Sequence, residues 1–154
     1  MTRRIVAFTS SASLVPEDDN RESDVYVRDT VAGTTELVSE SYGGGVTHED
    51  YKYSYGGVVS GDGRYVAFMS YARDLTAATS DTVWQQVYVR DLQAGTTELI
   101  TVTPGGGFND AFSLLPSISA DGRYVAFQTS GPLVAEDTDT FTAVSYTHLT
   151  LPTN

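Results

Sequence analysis

The sequence predicts an all-β fold built from tandem four-stranded antiparallel units. Three observations carry this: a repeat of about 60 residues, strand-type composition inside each repeat, and Asp-Gly turns at matching places. Arg4-Ile5-Val6-Ala7-Phe8 returns as Arg64-Tyr65-Val66-Ala67-Phe68 and again as Arg123-Tyr124-Val125-Ala126-Phe127. Val25-Tyr26-Val27-Arg28-Asp29 returns as Val87-Tyr88-Val89-Arg90-Asp91, and Gly33-Thr34-Thr35-Glu36-Leu37 as Gly95-Thr96-Thr97-Glu98-Leu99. From Val25 to Val38, 11 of 14 positions match those 62 residues on, which no unrelated pair of segments would give.

Each element follows in order. Strand A is Val58 to Ser60 in one copy and Ser117 to Ser119 in the next. Asp62-Gly63 and Asp121-Gly122 then supply tight hairpin turns, where Gly accepts a positive φ without a Cβ clash. Strand B is Arg64 to Ser70, or Arg123 to Thr129. A longer acidic loop leads to strand C, Val25 to Arg28 or Val87 to Arg90. Asp-x-x-x-Gly, ending at Gly33 or Gly95, turns the chain into strand D, Thr34 to Ser39 or Thr96 to Thr101. The triple glycines Gly43 to Gly45 and Gly105 to Gly107 open the connections onward. Val, Tyr, Phe and Thr dominate the strands. In Tyr65-Val66-Ala67-Phe68 the apolar residues run consecutively, so both faces of the sheet are covered. Four-stranded units in tandem with both faces buried on their neighbours are β-propeller blades.

Ser-x-Asp-Gly-Arg-Tyr-Val-Ala-Phe, followed by Val-Tyr-Val-Arg-Asp and Gly-Thr-Thr-Glu-Leu, resembles the WD-repeat-like propeller blades of the TolB type, over the chain up to about Thr142. The resemblance implies blades of a six- to eight-bladed ring. It implies a bacterial protein working in the periplasm or secreted, either as a binding propeller or attached to a peptidase or other catalytic domain.

Against that pattern the 154 residues hold about two and a half blades: strands B–D of a first (4–41), a complete second (54–103), and strands A and B of a third (115–131). Residues 1–142 are therefore expected to be a partial β-propeller, with residues 143–154 a non-native or disordered tail. Aligned on the first copy, Ala143 falls where Asp24 opens strand C. The uncharged run from Ala143 to Thr153 matches no repeat and is similar to a translated transposase-type sequencing adaptor. About two and a half blades do not close a ring, so the chain is expected to self-associate through open blade faces.

Charge and composition narrow the chemistry. Nine basic against 20 acidic residues give a net charge of -11, which repels phosphate backbones and excludes a nucleic-acid partner. With no cysteine there is neither a disulfide nor a thiolate site. No apolar run approaches the roughly 18 residues of a membrane span. Ile5 to Phe8 is too short for a signal core and reads as a strand, so no export signal is expected in this chain.

The acidic loop places Asp18, Asn20, Glu22 and Asp24 at alternate positions, with Asp29 beyond, a spacing that hard oxygen ligands use around Ca²⁺. The second copy keeps only Asp81 and replaces the strand-opening Asp with Gln86, while the third has Asp137 and Asp139. Asp18, Asn20 and Asp24 are the metal candidates, and no other cofactor is indicated. The recurring Arg28-Asp29, Arg90-Asp91, Arg64 and Arg123 read as structural, with each Asp capping a turn and each Arg pairing across strands. Tyr42, Tyr51, Tyr53, Tyr55 and Trp84 can form a stacking surface for a ligand. His48, beside Glu49 and Asp50, is solvated, and His148 lies in the divergent tail. There is no Gly-x-Ser-x-Gly nucleophile elbow, and the triple glycines have no following helix or Lys. The reading is a non-catalytic scaffold for a protein, peptide or glycan. One rival is the propeller part of a secreted peptidase or hydrolase whose catalytic residues lie elsewhere. Another is a calcium-stabilised secreted module.

Overall fold

The computed structural model describes residues 4–46, 53–78, 83–134 and 143–148. Among these residues ten strands form three antiparallel sheets. Blade 1 comprises β1 (Ile5–Ser10), β2 (Asp24–Asp29) and β3 (Thr34–Leu37). Blade 2 comprises β4 (Ser54–Val59), β5 (Tyr65–Ser70), β6 (Gln86–Asp91) and β7 (Thr96–Leu99). Blade 3 comprises β8 (Ser113–Ile118), β9 (Tyr124–Thr129) and β10 (Ala143–His148). Within each blade, strands pair in chain order, as short hairpin connections require.

The core lies between the blades. Tyr65, Ala67 and Met69 of β5 pack with Val87, Val89, Val125 and Phe127, filling the space toward blade 3. Val66 and Phe68, the alternate residues of the same strand, pack with Val25, Val27, Val38 and Tyr88 toward blade 1. Period-two alternation thus sends one strand's side chains into two separate cores, and all six residues of β5 are buried. β4 contacts β1 and β2 on one side and β8 on the other. The outer strands β3 and β7 alternate exposed and half-buried residues along one wet face.

Two features of the sequence reading are corrected in detail. Strand A begins earlier than Val58 and Ser117, because a bulge interrupts it. The pairing jumps between Tyr55 and Val58 in β4, and again between Leu114 and Ser117 in β8. Two residues there face one, which takes a left-handed residue: Gly56 at φ 71° in one blade and Leu115 at φ 53° in the other. The Asp-Gly pair, in turn, is not the centre of a two-residue hairpin. The Gly63 N–H donates to the Ser60 carbonyl (2.9 Å), so Gly61 and Asp62 are the central turn residues. Gly63 follows at φ 72°, and the Ser60 N–H closes the loop on the Tyr65 carbonyl at 2.9 Å. Blade 3 repeats this loop around Gly122.

One segment of the tail has a place in the sheet. Residues 143–148, expected to be non-native or disordered, pair along β9 in the strand C position. Ala143 stands opposite Thr129 as Gln86 stands opposite Ser70 and Asp24 opposite Ser10. Ladder bonds use main-chain groups that every residue but proline carries, so an unrelated sequence can occupy the register. Residues 149–154 lie outside the described residues.

Candidate functional site

In the acidic loop the side chains bond to one another and to nearby backbone. Asp18 is 4% exposed, and its Oδ2 accepts a hydrogen bond from the Tyr26 hydroxyl. Asn20 accepts from the Glu22 N–H at 2.7 Å and donates its amide to Asp24 Oδ2 at 3.1 Å. Asp24 Oδ1 accepts from the Ser39 hydroxyl at 2.6 Å. Burial pushes the Asp24 carboxyl above its usual 3.8, against the hydrogen bonds from Ser39 and Asn20. Burial, with the bond to Asp18, also pushes the Tyr26 phenol up. Among the described residues no three His, Cys, Asp or Glu side chains are grouped to hold a metal ion. Asp81, Asp137 and Asp139 lie outside the described residues. Gln86 takes the Asp24 position in blade 2. Its Oε1 accepts from Thr101 at 2.6 Å, and its amide donates to the Asn109 carbonyl at 2.8 Å.

The repeated charged residues build turns. Asp29 Oδ1 accepts from the N–H groups of Val31 (2.9 Å) and Ala32 (3.0 Å), and the Gly33 N–H bonds the Asp29 carbonyl at 2.8 Å. Asp91 does the same with Gln93, Ala94 and Gly95. Arg64 grips Asp91 with two nitrogens, at 2.7 and 3.1 Å. Burial pushes the Asp91 carboxyl up, but the bonds from Arg64, Ala94 and Gln93 outweigh it and hold it below 3.8. Asp62 and Asp121 each accept from the second N–H after them, those of Arg64 (3.0 Å) and Arg123 (3.1 Å). Arg28 and Arg90 donate across strands to Thr35 and Thr97, at 3.0 and 3.2 Å. Arg90 also forms an ion pair with Glu40, which joins blade 2 to the segment leaving blade 1.

The aromatic residues gather where β4 and β8 begin. Tyr53 lies 5.8 Å from Tyr55 and 4.9 Å from Tyr71, ring centre to ring centre. The Tyr55 hydroxyl donates to buried Gln85, whose amide donates to the Ser113 carbonyl at 3.0 Å. Trp84 meets Phe112 edge-on at 4.5 Å. Burial among the other two phenols pushes Tyr71 up to about 12. Tyr53 and Phe112 are exposed, at 37% and 40%. Tyr42 stands apart from this group, and Tyr51, His48, Glu49 and Asp50 lie outside the described residues.

Solved structures match this arrangement. TolB from Acinetobacter baumannii superposes over 94% of the chain with a TM-score of 0.52 at 17% identity. The fold is that of TolB-type propeller blades. A TolB structure from Agrobacterium tumefaciens covers 85% of the chain at a TM-score of 0.50 and 18% identity. A prolyl endopeptidase structure covers 84% at 0.51 and 19%. The chain spans 27%, 39% and 17% of those chains' lengths, respectively. No family model and no curated protein matches the sequence. Among the described residues no helix is long and apolar enough to cross a membrane.

Several site residues on these TolB-type blades escape sequence reasoning. Tyr71, Gln85 and Phe112 each lie just outside a repeated segment, so the repeat does not mark them. Arg90 and Glu40 are 50 residues apart, and no spacing rule links them.

Proposed function

We propose that the chain is a non-catalytic binding scaffold whose aromatic end contacts a protein, peptide or glycan. The observation that carries this is the group of Tyr53, Tyr55, Tyr71, Trp84 and Phe112 at or beside strand ends, with Tyr53 and Phe112 exposed. Aromatic side chains fixed in place give contact area at small entropic cost. The repeated Arg and Asp side chains, by contrast, are engaged in turns and cross-strand pairs. Likeness to the TolB structures supports a place outside the cytoplasm. A second reading, the propeller part of a peptidase, is supported by the likeness to a prolyl endopeptidase.

The chain's single tryptophan is Trp84, so its fluorescence reports this end alone. Titration with peptide and glycan arrays is expected to shift Trp84 emission, and Phe112→Ala is expected to abolish the shift while leaving circular dichroism unchanged. Emission that stays constant across the arrays, or a shift that survives Phe112→Ala, would reject the aromatic end as the binding surface. Peptide hydrolysis by the chain itself would reject the non-catalytic reading.

A further inference from the structure

Between blades 1 and 2 the outer surface opens into a cleft of about 490 Å³, within the usual size of small-molecule sites. It is lined by Tyr42, Leu75, Thr96, Thr97 and the Arg90–Glu40 pair. A second hollow of about 350 Å³, lined by Val15, Glu17 and Glu36, shares the same ion pair.

Charge decides which ligand suits the larger cleft. The chain carries a net charge of -11, yet among the described residues the charged ones lining this cleft are Glu40 and Arg90, which neutralise each other. An anionic ligand would meet no uncompensated counter-charge there, with the Asp74 carboxylate behind Ser41 and Glu17 and Glu36 in the adjoining hollow, and would lose its hydration without replacement. A neutral, polar ligand does not incur that cost.

The hydroxyls decide further. Thr97 Oγ1 already accepts a bond from Arg90 at 3.2 Å, so its own proton remains to be given. The Ser41 hydroxyl, also at the cleft, donates to Asp74 at 2.9 Å, so its lone pairs remain to accept. The wall therefore offers both a donor and an acceptor, which is what a ligand made of hydroxyl groups needs. Tyr42 adds an aromatic face. Its N–H is tied to the Asp74 carbonyl at 2.6 Å, while the residue is 71% exposed. A ring with apolar C–H faces and polar edges fits such a wall, with Leu75 offering the remaining apolar contact.

We propose that this cleft binds a neutral saccharide, stacked on Tyr42 and hydrogen-bonded by Ser41 and Thr97 above the Arg90–Glu40 pair. The site is separate from the aromatic end and does not depend on it.

Calorimetric titration of the full chain with maltotriose, cellotriose and tri-N-acetylchitotriose tests this, with trigalacturonate and a Gly-Ser peptide as the charged and peptide comparisons. At least one neutral trisaccharide is expected to bind, and trigalacturonate and the peptide are not. Tyr42→Ala is expected to weaken binding by roughly tenfold, the scale of one aromatic contact. Tyr42→Trp is expected to retain it, and thermal melts are expected to be the same for both variants, because the side chain is exposed. The proposal is overturned if no neutral trisaccharide binds at millimolar concentration to chain that melts cooperatively. It is equally overturned if Tyr42→Ala binds as well as the parent, or if the charged or peptide probe binds in place of the neutral ones. A saccharide that shifts Trp84 emission and ignores Tyr42→Ala places the ligand at the aromatic end, rejecting the cleft while leaving the scaffold reading intact.

Discussion

Asp91 shows how much one side chain can hold. Its carboxylate receives Arg64 from the neighbouring strand and two N–H groups from the turn that follows. Asp91→Ala leaves those N–H groups without their partner and is expected to cost about 2 kcal/mol, read from urea denaturation. A midpoint equal to that of the parent would mean water replaces the carboxylate fully. Asp91 and Asp24 also pull stability in opposite directions with pH. The Asp91 carboxyl is held below 3.8, so its contribution is present above that value and is lost as pH falls through its folded pKa. Burial raises Asp24 above 3.8, so the folded chain takes up a proton first and gains stability as pH falls toward 3.8. Melting temperature measured against pH is expected to rise less on acidification in Asp24→Asn than in the parent. Parallel curves would show that Asp24 titrates normally. Sequence spacing marked both carboxylates, but not the opposite directions of their shifts: both are buried, and only Asp91 has an arginine on it to outweigh that burial.

At the scale of the element, the inner strand β4 depends on close approach. A Cβ added at Gly57 would come within 2.8 Å of Val25 and 3.2 Å of Ala7, both in blade 1. Gly57→Ala is therefore expected to destabilise by about 1–3 kcal/mol through overpacking, seen as a lower thermal midpoint. An unchanged midpoint would show that the blades separate freely at this contact. The strand pattern was legible where it repeats: β2 and β6, or β5 and β9, share sequence and therefore share register. The bulges were not legible, because Gly56-Gly57 in one blade becomes Leu115-Pro116 in the next. The backbone shape persists there while the residues that mark it change. The Asp-Gly loop was misplaced by one residue for a related reason. The same dipeptide serves a two-residue hairpin and a longer loop equally well, and only the hydrogen bonds separate them.

For the molecule as a whole, the faces of the outer blades are the main consequence. Tyr65 and Tyr124 occupy the same repeat position, yet Tyr65 is 2% exposed and Tyr124 is 49% exposed. Val66 is buried, whereas its counterpart Val6 in blade 1 is 51% exposed. The middle blade shows what such faces contact when covered. Sedimentation velocity is expected to reveal concentration-dependent self-association of this chain, reduced in a Val6→Glu, Tyr124→Lys double variant. A single monomeric species at every concentration would show that these faces are stable in water. The three-blade series was legible from the repeat. The cleft beside Arg90 was not, since it arises from the spacing between blades rather than from any one segment.

The pairing of β10 with β9 has a wider meaning. β10 shares with β6 only the valine at 144, matched to Val87, yet it lies on its neighbour in the same register. A blade therefore accepts its third strand largely by shape. In mechanical terms, the ladder is indifferent to which side chains it carries. Where strand C is missing, strand B presents a row of unpaired main-chain groups, and any extended segment tethered at the right distance can fill that row.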